Sequence, residues 1–168
     1  MTPASYIALL DANTAAALET LKSVDPGKET LRSQPGKWSV LEILEHVYLT
    51  EKLVHFVVSR PSKTISETEE KLGNDRIRYL MVDRRETKVQ APEVIHPKGQ
   101  VSSVADFDGK FNGLRKLLKE ELLTGKIVID NRIHKHTILG EMTISDWLLF
   151  ILHHTQRHLD QIKDILSA

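Results

Sequence analysis

The sequence contains no cysteine, so disulfides, thiolate-ligated zinc and cysteine nucleophiles are excluded. It has no excess charge either: 23 Lys and Arg balance 23 Asp and Glu, mixed along the chain without a long block of one sign. A chain with no basic arm or groove lacks the phosphate-neutralising surface that nucleic-acid binding draws on. Long apolar runs are also missing. "WLLFIL" at 147–152 is among the longest, well short of the ~20 residues that span a bilayer. The opening "MTPASYIALLDANTAAALETL" shows no charged segment followed by an apolar one, so no secretion signal is expected. The expectation is a cytoplasmic protein, 168 residues long, folding as one domain over 1–168, with neither a nucleic acid nor a membrane as partner.

Strand signals are sparse, and helical periodicity dominates. A first helix is expected from about Pro3 to Ser23, with proline in its first turn and Ile7, Leu10, Ala17 and Leu21 on one stripe. A second begins at "SVLE", where Ser39 and Glu42 fit a capping box, and runs to about Val58, with Pro61 beyond it as a stop. The third, capped by Ser103, presents Phe107, Phe111, Leu114, Leu118 and Leu122 on one face and ends at Gly125. The fourth opens with "TISD", Thr143 to Asp146, and continues to about Ser167. Four amphipathic helices of matched length, each about 30 Å long, bury their apolar faces best as an all-α four-helix bundle. Residues 59–103 are too many for a tight connection and allow a long crossover between helices two and three. Within that stretch, a short helix around Asn74 to Val82 and an extended loop at "APEVIHPKGQ" are expected.

The aromatic content is low, but there are eight histidines, and three of them fall where the helices should be apolar. The buried stripe of helix four reads Ile144, Trp147, Ile151, His154, His158, Ile162 and Ile165, in steps of three and four that trace one face. His153 lies about 100° round from His154, toward the outer surface. On helix two, His46 shares the inner face with Ile43, Val47, Thr50 and Val54. One buried histidine is ordinarily a hydrogen-bonded core residue. Two on adjacent turns of an apolar face need two separate partners, because an unpartnered polar ring costs about 1–3 kcal/mol. A shared cation satisfies both, since side chains four apart project side by side. Neutral imidazole suits Zn, Ni, Cu or Fe, and three histidines would leave an open position. Spacing alone leaves the packed-core and metal-site readings both standing. His55 is expected on the outside of helix two, His96 in a loop, and His134 and His136 of "HKH" in a solvated loop near the bundle end.

Two stretches carry a resemblance. "KWSVLEILEHVYLTE" (37–51) and "HTILGEMTISDWLLFILHHTQRHLDQI" (136–162) resemble the second-helix and last-helix motifs of the DinB/YfiT-like metal-binding proteins, and "APEVIHPKGQ" (91–100) resembles a loop of one branch. Thr137 departs from the proline that often follows the loop histidine in that family. The resemblance implies a four-helix bundle with a long crossover, often a homodimer, with His46, His154 and His158 as ligands of a divalent metal, zinc or nickel. It also implies a small-molecule substrate and a reaction of the thiol S-transferase type with a low-molecular-weight thiol. A metal-dependent hydrolase, or a dimeric bundle that binds metal or ligand without catalysis, are the alternatives. Gln161, Glu45, Asp160 or a backbone carbonyl could fix the imidazole tautomers, and Arg157 lies at the rim.

Overall fold

The computed structural model describes residues 1–84 and 90–168. Among these residues there are five α-helices: α1 (Pro3–Lys22), α2 (Val40–Val58), α3 (Gly73–Arg78), α4 (Val104–Leu123) and α5 (Ile144–Ser167). Two short strands, β1 (Ile133–His136) and β2 (Gly140–Thr143), form an antiparallel hairpin with Ile133 opposite Thr143 and His136 opposite Gly140. The four long helices make the bundle. α5 packs between α1 and α2 on one side and α4 packs between them on the other, while α3 covers α5. The link from α2 to α4 is the long crossover. No helix among the described residues is long and apolar enough to cross a membrane.

Local chemistry sets the helix starts. The Ser39 hydroxyl accepts from the Glu42 N–H at 3.2 Å, and the Glu42 carboxylate accepts from the Ser39 N–H at 2.6 Å. The same reciprocal box joins Thr143 to Asp146 and Thr2 to Ser5, and Ser103 caps α4 by accepting from the Asp106 N–H. Each such cap is worth about 1 kcal/mol. Asp146 does more than cap. Fully buried, it also accepts from the backbone N–H groups of Lys71 and Gly73 at 2.8 and 2.9 Å, which ties the crossover and the start of α3 to α5. Gly125, at φ +73°, ends α4 in the left-handed conformation that glycine adopts without strain.

Three local expectations are revised. The short helix of the crossover is α-helical only to Arg78 and continues as a π-helical turn over Tyr79–Asp83. The 91–100 loop contains a 3₁₀ turn at Glu93–Ile95. His134 and His136 lie on a strand, not in a solvated loop. Four residues on each side are too few for a period-two pattern to stand out against the surrounding helical signal, and the hairpin is braced from outside the pair: the Ile133 N–H donates to the Thr64 carbonyl of the crossover at 2.8 Å.

The apolar interior is divided. One cluster gathers around Tyr6, Leu10, Val54, Leu118, Trp147 and Ile151; the other around Ala17, Ile43, Val47, Phe107, Phe111 and Ile162. Between them, at the waist of the bundle, lies a buried polar layer. It contains His46, Thr50 and Glu51 from α2, Arg115 from α4, and His154, Thr155 and His158 from α5.

Candidate metal centre

The expected inner faces of α2 and α5 meet at this waist. His46, His154 and His158 are 3%, 7% and 8% exposed. Nε2 of His154 lies 3.2 Å from Nε2 of His46 and 3.2 Å from Nε2 of His158, and one ring nitrogen from each of the three falls within 4.8 Å of the others. Tetrahedral coordination at the usual zinc–nitrogen length places ligand atoms about 3.3 Å apart, so the cluster has the dimensions of a three-histidine site.

The outer edges of the rings decide which nitrogens are available. Nδ1 of His46 is 2.9 Å from the Ile95 carbonyl, which only accepts, so Nδ1 carries the proton and Nε2 a lone pair. Nδ1 of His158 is 2.9 Å from Oε1 of Gln161, with the same consequence. His154 differs: its Nδ1 is buried and has no partner among the described residues. Two lone pairs therefore face a third imidazole that can donate to only one of them. If its proton is on Nε2, Nδ1 is an orphaned acceptor. If it is on Nδ1, that N–H is orphaned and three lone pairs converge. A cation at the centre removes the conflict around the three Nε2 atoms.

Electrostatics agree with a set of neutral ligands. Burial, joined by the neighbouring imidazoles His158 and His46, holds His154 well below the ordinary imidazole pKa; burial and then His46 bring His158 down to about 3. His46 is lowered mainly by burial, against the opposing effect of its hydrogen bond to the Ile95 carbonyl. Unprotonated imidazole is the metal-binding form.

The remaining expectations sort cleanly. His153 turns outward, as its place on the helix implied, and meets Oδ1 of Asn74 at 2.9 Å. Gln161 is the partner of His158, and the backbone carbonyl that serves His46 is that of Ile95. Glu45 and Asp160 do not touch the rings. The Glu45 carboxylate accepts from the backbone of residues 98–100, and Asp160 accepts from Nε2 of Gln156. Arg157 donates to the Met81 carbonyl at 2.9 Å. His55, expected on the outside of α2, is hydrogen-bonded to Glu121 of α4 at 2.7 Å. His134 lies 3.3 Å from the Arg60 carbonyl, and His96 is 2.8 Å from that of Ala91.

Sequence reading missed the walls of the site. The Trp38 ring covers His46 at a centroid distance of 4.8 Å, and Phe150 covers His154 at 5.1 Å. His136 packs between Trp147 and Phe150, at 5.2 and 5.0 Å. Its Nδ1 accepts from the N–H groups of Ile138 and Leu139, and burial brings its pKa down to about 4. Trp38 and Phe150 were readable as aromatics near the motif histidines. The Ile95 carbonyl left no sequence signal, because any residue supplies one.

Comparison with known proteins points the same way. The chain is 27% identical over 158 residues to YuaE, an uncharacterized protein of Bacillus subtilis (strain 168), covering 89% of this chain and 92% of that one. Its fold is similar to that in the crystal structure of TT2238, a four-helix bundle protein, at a TM-score of 0.61 and 21% identity over 97% of this chain and 99% of the other. Residues 9–162 match the DinB superfamily, a span that takes in α2, most of α5 and all three inward histidines, and the chain belongs to that superfamily.

Proposed function

We propose that the protein is a divalent-metal-dependent enzyme of the thiol S-transferase type, acting on a small molecule, with His46, His154 and His158 holding one zinc or nickel ion. The observation that carries this reading is the unresolved polarity of the cluster: two inward lone pairs fixed by Ile95 and Gln161, and a third buried imidazole whose outer nitrogen has no partner. Three imidazoles leave room for one exchangeable ligand, the arrangement of a reactive site and not of a closed structural one. When bound, the cation would supply Lewis acidity, which would deprotonate a coordinated thiol outright and bring a bound water down to a pKa of about 7; a hydrolase would also call on a nearby general base for its proton transfers.

The carboxylates near the site favour the thiol reading over the hydrolase. Among the described residues no Asp or Glu joins the ligand cluster. Glu45 is saturated by three backbone N–H groups, and Glu51 is held by Arg115. The chain's own contribution is to keep protons on the outer nitrogens of His46 and His158 and to shield the rings with Trp38 and Phe150. A homodimer, with no nucleic-acid or membrane partner, completes the proposal; sedimentation at twice the chain mass tests the dimer.

Elemental analysis of protein purified without a histidine tag is the first experiment, with one divalent ion per chain as the expected result. Turnover of an electrophile with a low-molecular-weight thiol is expected next, and turnover of an ester or amide with water would move the assignment to the hydrolase. If the protein carries no stoichiometric ion, and added zinc or nickel neither binds nor raises stability, the histidines are packing residues and the proposal fails.

A further inference from the structure

Glu45 precedes His46 on α2 and is 2% exposed. Among the described residues it makes no ion pair. Its charge is met by three consecutive backbone donors: the Lys98 N–H at 2.7 Å and the Gln100 N–H at 3.0 Å on Oε1, and the Gly99 N–H at 3.1 Å on Oε2. Such convergence of successive N–H groups on one anion is a nest, and Gly99, at φ +78°, supplies the left-handed residue in this one. Immediately before it, the 3₁₀ turn of Glu93–Ile95 leaves the Ile95 carbonyl free to accept from Nδ1 of His46. Two adjacent α2 residues thus hold one loop at two points. Trp38 occupies the space between, against both His46 and His96.

We infer that Glu45 is a positioning residue for the metal centre: by anchoring residues 98–100 it places the Ile95 carbonyl, which keeps the proton of His46 on Nδ1 and turns the Nε2 lone pair inward. The inference rests on the proposed metal site for its consequence, but not for its mechanism, which is a tautomer choice made in the metal-free protein. Without the anchor, the hydrogen bonds that join residues 91–100 to α2 among the described residues reduce to the one on the imidazole itself, and the proton of His46 can move to Nε2. That form has no lone pair to offer the cluster. Asp146 provides a matched contrast. It is another buried carboxylate that accepts consecutive crossover N–H groups, from Lys71, Leu72 and Gly73, yet it has no link to the loop that touches His46.

Glu45→Gln preserves the shape but puts an amide N–H against a backbone N–H, so at least one bond of the nest is lost. The ring ¹⁵N resonances of His46 in the metal-free protein should change from a single Nδ1–H form to a mixture, while those of His158, held by Gln161, stay as they are. Zinc affinity should fall by about 10–100-fold, the usual consequence of losing support behind a ligand. Asp146→Asn should lower global stability without changing either readout. An unchanged His46 tautomer and zinc affinity in Glu45→Gln would overturn the inference, as would an equal change in Asp146→Asn. Should Glu45→Gln not fold, zinc added to the wild-type protein must slow hydrogen exchange at the Lys98, Gly99 and Gln100 amides; exchange that does not change overturns it as well. If the wild-type protein takes up no zinc, the proposed function fails, and the tautomer measurement still decides the role of Glu45.

Discussion

Two buried polar clusters share the waist of this bundle, and they are finished to different degrees. Around Arg115 every group is answered. Nε and one terminal nitrogen of the guanidinium donate to Glu51 at 3.0 and 2.5 Å, and the remaining donors reach Thr14 and Asn13 of α1 at 2.8 and 2.9 Å. Thr155 closes the far side by donating to Glu51 at 2.8 Å, and the Phe111 ring lies 4.0 Å beneath the guanidinium. The histidine cluster is as deeply buried but unfinished, with an orphaned Nδ1 on His154 and lone pairs facing one another. A closed network orients helices and asks for nothing. An open one of similar burial carries a cost that a bound group would relieve, and this is why the histidines, and not the ion pair, mark the candidate site.

The largest expected effect tests the closed side of that comparison. Arg115→Ala strands the Glu51 carboxylate in the core, and Glu51→Ala strands the guanidinium. Each should lower unfolding free energy by about 3–5 kcal/mol in denaturant titrations, whereas replacing both with apolar residues of similar volume should cost much less than the two added together. None of these changes should alter zinc affinity. Single losses below ~1 kcal/mol would show that the network is not closed in solution.

The open side should behave in the opposite way. In metal-free protein, His154→Ala or His158→Ala should cost less than the Arg115 change, since the groups they remove are incompletely partnered. With metal present the gap should narrow by the stabilisation that binding supplies. A ligand at a hundred times its dissociation constant stabilises by about 2.7 kcal/mol, and this increment should vanish in both variants and in His46→Ala, as followed by calorimetry with and without zinc. His153→Ala, which removes only the contact with Asn74, should retain it. Equal loss in all four would show that the helix face was assigned wrongly.

Much of this was legible in the letters because α2 and α5 obey one rule along their whole length. Ile144, Trp147, Ile151, Ile162 and Ile165 are buried as their spacing requires, and the histidines interrupting that stripe could be placed inside without coordinates. The caps at Ser39, Ser103 and Thr143 were legible for the same reason, since each is a contact between residues three apart. What escaped depends on meetings between distant segments. The hairpin is too short to display its period, and β1 is completed by the Thr64 carbonyl from far upstream. Glu45 reads as one more charge on a helix until the loop that wraps it is seen. Arg115 was equally hidden: its spacing says that it lies near Phe111 and Leu118, but only the fold brings Glu51, Asn13, Thr14 and Thr155 to it.

The same contrast should appear as a pH dependence. For His158 the folded-state pKa is about 3, against about 6.5 in an unfolded chain. Between these values the unfolded state binds the proton and the folded state does not, so stability is complete above about 6.5 and declines as the pH falls toward 3. One such group contributes at most about 1.4 kcal/mol per pH unit. His158→Leu should flatten the acid limb of the metal-free stability curve by up to that slope. Asn13 of the Arg115 network meets only the guanidinium and the Leu152 carbonyl, neither of which titrates in this window, so Asn13→Ala should lower the curve without changing its shape. An acid limb unaltered by His158→Leu would mean that the ring is already protonated, or already solvated, in the folded protein.

The smallest effect comes from a group that belongs to neither class. The Tyr6 hydroxyl is fully buried in the apolar cluster nearest Arg115 and has no hydrogen-bond partner among the described residues, and burial pushes its pKa up. It resembles the histidine cluster in being unfinished, yet it stands alone and offers no second donor atom with which a ligand could be held. Incompleteness marks a binding site only where several unsatisfied groups converge, and by that criterion Tyr6 is a cost of packing. Tyr6→Phe keeps the ring and deletes the stranded hydroxyl, so it should leave stability unchanged or raise it by up to about 1 kcal/mol, with metal affinity and acid limb as in the wild type. A loss of more than ~1 kcal/mol would mean that the hydroxyl has a partner in solution, which would move it into the closed network around Arg115.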